Sequence, residues 1–201
     1  MKNDECISKK QILYAKSLRK TEFLNKIPND KPGWYKWWAT RRALEKLLNS
    51  EYIDKRYLEE ILPYLTTKTI CGEKYYSIYV GIAVKESIRS RLNWHVNQHH
   101  SENSVKSGFL STLRKSISSL VAGSQYNEIL TNELIDMLII EYNIVDLPIK
   151  SLEAKEKIEK IENDEMKYNV LPLNIQGNNR QELKEFKKQL RNLRKKSKDE
   201  K

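Results

Sequence analysis

Two aromatic stretches, each beside a glycine, decide the fold. The first is Gly33-Trp34-Tyr35-Lys36-Trp37-Trp38, and the second is Tyr75-Tyr76-Ser77-Ile78-Tyr79-Val80-Gly81-Ile82-Ala83-Val84. Aromatic and β-branched side chains favour extended backbone. A run of chain breakers, residues 28–33, precedes the first stretch, and the second is predicted to end near Gly81. Both stretches are therefore predicted to be strands.

The remaining segments predict helices and one more strand around this pair. Residues 137–145 are rich in Leu and Ile and predict a third, buried strand. Apolar residues at helical spacing predict helices over residues 8–27, 39–65, 109–121 and 151–168, with a further helix that carries Ile88, Leu92 and His95. Ser151 is the expected N-cap of the 151–168 helix. The predicted class is α/β (α+β), with a small three-stranded sheet, mixed or antiparallel, flanked by helices.

The charge of the chain points to a polyanionic partner. The 201 residues carry a net charge of +10, and the isoelectric point is about 9.4. Ten Lys or Arg residues against four Asp or Glu residues give residues 180–201 a net charge of +6. Such a charge attracts nucleic acid, with an anionic membrane surface as the alternative. The C-terminal segment is predicted to be a basic helix or a disordered arm.

Cysteine usage and hydropathy favour a cytoplasmic protein that does not enter a membrane. The two cysteines, Cys6 and Cys71, form no CxxC pattern and no zinc spacing, so no disulfide framework is expected. Residues 1–5 lack the apolar core of a signal peptide. The longest apolar stretch, residues 137–140, is far too short to span a bilayer.

Several polar residues form a candidate site for phosphate chemistry. Arg91 and His95 are four residues apart, so both side chains lie on one face of their predicted helix. A guanidinium beside an imidazole suits an anion, because Arg binds phosphate oxygens through a planar fork. The 151–168 helix carries Glu159, Glu162 and Glu165. A carboxylate near a phosphate-binding Arg suggests a hard divalent cation such as Mg²⁺.

In this order, the motifs resemble those of the GIY-YIG nuclease family. Gly33-Trp34-Tyr35 resembles its first signature with Trp in place of Ile, and Tyr79-Val80-Gly81 resembles its second with Val in place of Ile. Arg91-Leu92 with His95 matches the helix motif of the family. Glu162, preceded by Ile161 and followed twelve residues later by Asn174, matches the metal-binding Glu and the later Asn.

The resemblance covers about residues 30–180 and implies a domain organisation. Residues 1–29 would form an N-terminal helical extension, residues 30–179 the nuclease domain and residues 180–201 a basic tail. The interval between Tyr35 and Tyr79 is long for the family, so residues 39–70 are interpreted as a helical insertion. Three assignments stay open: Arg89 competes with Arg91, Glu165 with Glu162, and Asn169 with Asn174.

The resemblance also implies a mechanism, hydrolysis of a phosphodiester with one metal ion. Glu162 would hold Mg²⁺, with Mn²⁺ as a substitute, and Tyr35 would act as general base with its pKa lowered by nearby charge. Arg91 would stabilise the phosphate. Tyr79 and His95 would position water or phosphate and share proton transfer, and Asn174 would order the site.

The resulting function is a metal-dependent DNA endonuclease, of a restriction or mobile-element type. The alternatives are a catalytically inactive nucleic-acid-binding module with the same fold, and a structural protein whose charge only aids solubility. Candidate DNA contacts are Lys36, Arg89, Arg191, Arg194, Lys195 and Lys196. A palindromic target would require two active sites, and therefore a homodimer or two sequential nicks.

Overall fold

A five-stranded antiparallel sheet organises the chain in a computed structural model, which describes residues 11–101 and 109–199. The strands are β1 (Ile12–Tyr14), β2 (Gly33–Thr40), β3 (Thr67–Ile70), β4 (Glu73–Ala83) and β5 (Ile139–Ile144). Their order across the sheet is β1-β5-β2-β4-β3, and every pairing is antiparallel. The predicted class is confirmed. The prediction of three strands is wrong, because β1 and β3 extend the sheet at its two edges.

Eight α-helices surround the sheet in the described part of the chain. They are α1 (Thr21–Leu24), α2 (Arg41–Leu48), α3 (Arg56–Ile61), α4 (Ile88–Asn97), α5 (Thr112–Ala122), α6 (Glu128–Asp136), α7 (Leu152–Tyr168) and α8 (Lys184–Asp199). Ser151 is the N-cap of α7, since its Oγ accepts a hydrogen bond of 3.2 Å from the Ala154 N–H. No described helix is both long enough and apolar enough to cross a membrane.

The N-terminal segment contributes a strand where a helix over residues 8–27 is predicted. Within its described part, β1 is followed by a 3₁₀ helix (Ala15–Arg19) and by α1. The Ala15 N–H donates to the Leu138 carbonyl, and the Tyr142 N–H donates to the Gln11 carbonyl. These hydrogen bonds to β5 and to the residue before it favour a strand over the predicted helix, because they satisfy backbone groups of both segments at once. Residues 1–10 lie outside the described part.

The segment interpreted as a helical insertion ends in a strand. Residues 67–70 read Thr67-Lys68-Thr69-Ile70, and the turn that follows has positive φ angles of 51° at Cys71 and 79° at Gly72. Two adjacent residues with positive φ form the tight turn that matches the twist of a hairpin. Ile70 and Glu73 are therefore partners across β3 and β4. Cys71 is disulfide-bonded, whereas the cysteine spacing predicted no disulfide framework. Cys6 lies outside the described residues.

The C-terminal basic segment is a helix that packs into the main core. Phe186 and Leu190 on α8 are fully buried, and Leu193 packs against the same cluster. That cluster also contains Tyr35 and Tyr79 from the central strands. Because its apolar face is buried with them, α8 has a fixed position beside the strands that carry the signature tyrosines.

The position of α8 can be tested by truncating one of its buried side chains. We expect Leu190→Ala to destabilise the protein by about 2–5 kcal/mol, because a fully buried leucine leaves a cavity. Urea unfolding would measure the change. The matched control is Lys188→Ala on the exposed face of α8, which should change stability by less than about 0.5 kcal/mol. Equal effects of the two substitutions would show that α8 is a detached arm.

Candidate active site

The two signature tyrosines meet because of how β2 and β4 pair. Tyr35 is the partner of Gly81, and Trp37 is the partner of Tyr79, which puts the rings of Tyr35 and Tyr79 6.4 Å apart between centroids. The phenol of Tyr35 lies across Gly81, where a Cβ atom would be 2.5 Å from its Oη. Only glycine leaves this space, so Gly81 is the residue that allows the two tyrosines to come together.

Gly33 has a similar steric role at the other side of β2. A Cβ atom at this position would overlap the backbone carbonyl oxygen of Asn143 on β5. Gly33 pairs with both Ala83 and Ile144, so it lies between two strands. Each glycine of the two signatures therefore permits a close approach within the sheet.

His95 connects the tyrosines to the helices. It is 2% exposed, and its Nε2 lies 2.5 Å from the Oη of Tyr35. Its Nδ1 lies 2.9 Å from the Oγ of Ser111, which precedes α5. Burial, helped by the charges of Arg91 and Arg114, lowers the pKa of His95 to about 3. The imidazole is therefore neutral at physiological pH.

Arg91 presents its guanidinium beside this group. One Nη donates to Glu86 at 2.7 Å, and the guanidinium lies 4.8 Å from the centre of the Trp94 ring. Its charge acts on both tyrosines, on His95 and on Glu162. Arg89, the competing assignment, instead hydrogen-bonds Asn25 at the surface. The structure thus brings Arg91, and not Arg89, to the tyrosines.

The carboxylate of Glu162 faces a cleft of about 230 Å³. The cleft is lined by Tyr79, Thr112, Glu162, Met166, Asn174, Ile175, Gln176 and Gly177. Burial, with a smaller contribution from Glu159, raises the pKa of Glu162 to about 7, although Arg91 opposes the shift. The charge of Arg91 favours the ionised form of Glu162, but it does not offset the effect of burial. The charge of Glu162 is therefore only weakly compensated.

Glu165, one turn later, is held by an ion pair and a hydrogen bond within the protein. It accepts from the Lys36 ammonium and from the Asn169 amide, each at 2.6 Å. Lys36 is only 8% exposed. Lys36, a predicted DNA contact, has an acidic partner in the interior of the protein. Glu162 is the glutamate that the fold places at the tyrosines.

Asn174 anchors the loop that closes the cleft. Its Oδ1 accepts from the Val80 N–H and its Nδ2 donates to the Val80 carbonyl, both at 2.8 Å. The amide thus replaces a strand partner for the backbone next to Tyr79. Asn169, the competing assignment, instead contacts Thr66 and Glu165. Both ends of the Asn174 amide are thus bonded to backbone, which holds the loop against β4.

The remaining candidate DNA contacts lie on α8 near the cleft. An Nη of Arg191 donates to the carbonyl of Ile175, a cleft residue, at 3.1 Å. Arg194 lies close enough to Tyr79 for its charge to lower the pKa of that hydroxyl. Lys195 is exposed, and the side chain of Lys196 lies outside the described residues. The basic helix therefore borders the cleft.

The donor set around Glu162 fits a hard divalent cation. No group of three or more His, Cys, Asp or Glu side chains that could enclose a metal occurs within residues 11–101 and 109–199. Mg²⁺ does not need such a cage, since it keeps several waters and binds through one or two carboxylates and substrate phosphates. A partly buried carboxylate with little compensating charge, open to a cleft, matches this requirement.

Three residues of the site were missed by sequence reasoning. Ser111 and Arg114 hold His95, and Glu86 holds Arg91. Ser111 is the N-cap of α5, a position that a serine before an apolar periodic segment indicates. The predicted start of this helix at Phe109 hid that signal. The contacts of Glu86 and Arg114 depend on tertiary packing and leave no local pattern.

The raised pKa of Glu162 predicts how stability depends on pH. A carboxyl whose pKa is raised in the folded state destabilises the protein as pH rises from its ordinary 4.5 to about 7. Glu162→Gln removes this penalty. We expect the metal-free variant to be more stable than wild type at pH 8 by about 1 kcal/mol after discounting for partial exposure, or roughly 2–4 °C in melting temperature.

This stability difference should shrink by pH 4.5 and vanish well below it, where Glu162 is protonated in both the folded and the unfolded state. The control is Glu165→Gln, which breaks the interior ion pair with Lys36 and should lower the melting temperature at both pH values. Scanning calorimetry in EDTA would measure all three proteins. A Glu162→Gln variant less stable than wild type at pH 8 would mean that the carboxylate has a favourable partner.

Comparison with known proteins agrees with this geometry. The family model of the GIY-YIG catalytic domain matches residues 33–196. No curated protein and no solved structure matches the chain. The matched segment covers most of the sequence, from the first signature glycine to the last turn of α8. The chain therefore belongs to the GIY-YIG nuclease family, whose members are generally metal-dependent.

Proposed function

We propose that the protein is a metal-dependent DNA endonuclease that hydrolyses phosphodiester bonds. One observation carries the proposal: Tyr79 and Glu162 line one cleft, and the rings of Tyr35 and His95 lie 6.4 and 6.1 Å from the Tyr79 ring between centroids. The charge of Arg91 acts on all four of these groups. A scissile phosphate in this cleft would lie beside the Glu162 carboxylate and in the field of the Arg91 guanidinium. The net charge of +10 and the basic face of α8 support a nucleic-acid substrate.

Arg91 is proposed to bind the scissile phosphate. Glu86 now holds one Nη of its guanidinium, while the Nε is buried and has no partner among the described residues. A phosphate oxygen is a charged hydrogen-bond acceptor like the Glu86 carboxylate, so it can replace Glu86 as the partner of the Arg91 guanidinium. The stacking on Trp94 keeps the guanidinium in place during the exchange.

Glu162 would hold the divalent cation, with Mg²⁺ the expected ion and Mn²⁺ its substitute. Bound there, the metal would polarise the phosphate and stabilise the negative charge of the leaving oxygen. The positive charge would also favour the ionised form of Glu162, which burial now disfavours.

The neighbouring pair Tyr35 and Tyr79, with ring centroids 6.4 Å apart, is proposed as the general base. Burial raises the pKa of Tyr79 to about 12 and that of Tyr35 well above its ordinary value, opposite to the expected lowering at Tyr35. The charge of Arg91 lowers the pKa of both hydroxyls, and the neighbouring Tyr35 hydroxyl lowers the pKa of Tyr79. Two coupled hydroxyls titrate as a unit, so the negative charge of the tyrosinate that accepts water's proton is shared by the pair, and the pair is neutral after the transfer.

A catalytically inactive DNA-binding module is the second candidate function. Its support is that the basic residues of α8 would bind DNA without any of the tyrosines. The buried carboxylate of Glu162, whose charge is only weakly compensated, argues against this candidate. Burying a carboxylate destabilises the protein, and a module that only binds anionic DNA has no use for that carboxylate. Cutting of a palindromic target by a homodimer belongs to the endonuclease proposal and needs two copies of this site.

The first test is cleavage of genomic DNA, which contains every short sequence and so supplies any short target. We expect fragmentation with Mg²⁺ and none with EDTA. Glu162→Ala and Arg91→Ala should each lower the rate by about 10³-fold or more, because each removes charge stabilisation in the transition state.

The controls for this test are Glu165→Gln and Arg89→Ala, which alter the competing residues. Arg89→Ala should cut at close to the wild-type rate. Salt-sensitive binding by wild type without cleavage in Mg²⁺ or Mn²⁺ would instead establish the binding module. An inactive Arg89→Ala beside an active Arg91→Ala would shift the assignment by two residues.

A second test separates the tyrosine pair from the other tyrosines. Tyr35→Phe and Tyr79→Phe should each lower kcat by about 10²–10⁴-fold, as loss of a general base does, with DNA affinity retained. Tyr142→Phe is the matched control, since Tyr142 is the β5 partner of Tyr35 and no charge of the site acts on its hydroxyl. Single-turnover kinetics would measure the effects. Full activity of either Phe variant would exclude the pair as the base.

A further inference from the structure

The first turn of α5 holds His95 at two points. The Oγ of Ser111 lies 2.9 Å from the ring Nδ1, and one Nη of Arg114 donates to the His95 carbonyl at 3.0 Å and to the Val96 carbonyl at 2.9 Å. Ser111 and Arg114 are both completely buried. Ring and backbone of His95 are therefore fixed by one short segment that belongs to neither signature.

Ser111 has one other side-chain hydrogen bond, and it limits what the hydroxyl can do. Its Oγ accepts the Arg114 N–H at 3.2 Å, as the N-cap of α5. The hydroxyl keeps one hydrogen and one further lone pair for His95. The bond can therefore run from Ser111 to Nδ1 or from Nδ1 to Ser111, and the two directions require different tautomers of the imidazole.

Counting hydrogens distinguishes the two directions. If His95 donates from Nδ1, the hydroxyl hydrogen of Ser111 has no acceptor among the residues that the structure describes. An unmatched donor in a fully buried place is costly. If Ser111 donates to Nδ1, His95 donates from Nε2 to Tyr35, and the hydroxyl hydrogen of Tyr35 is left to turn toward Tyr79, whose pKa Tyr35 lowers. The hydrogens of Ser111 and of the imidazole then both have acceptors, and Tyr79 lines the cleft.

We infer that Ser111 is a positioning residue that sets the direction of a hydrogen-bond chain from Ser111 through His95 and Tyr35 to Tyr79. The relevance of the chain to catalysis rests on the proposed nuclease function. In this direction, His95 is a hydrogen-bond donor in the Nε2–H tautomer and does not receive the proton of the attacking water. The chain donates toward the tyrosine pair and stabilises its anion on the side of the cleft.

The electrostatics of His95 agree with this role. Arg114 has neutral partners at each of its hydrogen bonds, namely two carbonyls, Asn132 and His100. Its charge, with that of Arg91, opposes a second proton on the imidazole. A histidine held neutral can orient Tyr35 through a hydrogen bond but is a poor store for a proton.

The tautomer of His95 can be measured in the free protein by NMR. The chain has three histidines, so labelling with ¹⁵N-histidine gives few signals, and His95→Gln identifies the one of interest. We expect protonation at Nε2 and a bare Nδ1 throughout pH 6–8. An Nδ1–H tautomer or an imidazolium would overturn the inference. This readout is independent of cleavage, so it stands or fails apart from the proposed function.

Substitution of Ser111 tests its effect on the reaction. Ser111→Ala should allow the second tautomer and lower kcat about tenfold, the effect of one lost hydrogen bond, while DNA affinity stays unchanged. Ser111→Thr keeps the hydroxyl and should restore the tautomer and the rate. Ser151→Ala is the matched control, because it removes an equivalent N-cap from α7 without touching His95.

The control separates positioning from stability. Ser111→Ala and Ser151→Ala should lower the melting temperature by similar amounts, but only Ser111→Ala should change the tautomer and kcat. A Ser111→Ala protein with the wild-type tautomer and rate would overturn the inference. Equal losses of kcat in the two variants would also overturn it, because a stability effect alone would then explain the loss.

Discussion

The pairing of Tyr35 with Gly81 is the constraint on which the site depends. A side chain at position 81 would occupy the space of the Tyr35 hydroxyl, so the phenol can lie across β4 only because this residue is glycine. From there Tyr35 reaches His95 on α4, and its ring approaches that of Tyr79. The second signature thus supplies both a tyrosine and the room that the first tyrosine needs.

The charges of the site suit ligands of opposite sign. Burial disfavours the ionised form of Glu162, and Arg91 is held by Glu86, which a substrate phosphate would replace under the proposed function. A protein that binds its ligands only when folded gains stability from them by mass action. Under the proposed function, the cation that would offset the energetic cost of burying Glu162 would also supply the chemistry.

The sequence predicted the central elements of the site better than the edges of the sheet. The two signature strands, the Arg91–His95 face and the N-cap at Ser151 have local patterns of composition and spacing. β1 has no such pattern. Its three residues lie in a segment with helical spacing and form a strand because they pair with the edge of β5. The ordered motifs predicted the family, whereas Glu86, Ser111 and Arg114 act through contacts between distant segments.

The choice of Asn174 over Asn169 follows from how the free edge of β4 is divided. β3 covers only residues 73–76 of that edge, and the Ser77 N–H still donates to the carbonyl of Thr66. From Ile78 onward the edge is taken by the loop after α7, where Leu173 donates to Ile78 and Asn174 binds Val80.

A longer β3 would occupy the backbone that Asn174 needs and would exclude the cleft residues 174–177 from Tyr79. The segment between the signatures thus does more than lengthen the chain. Its last strand sets the position at which the loop docks and therefore how far Tyr79 lies from Glu162. The hairpin at Cys71 and Gly72 fixes that register through its two-residue turn, because a shift by one residue would move each side chain of β3 to the opposite face.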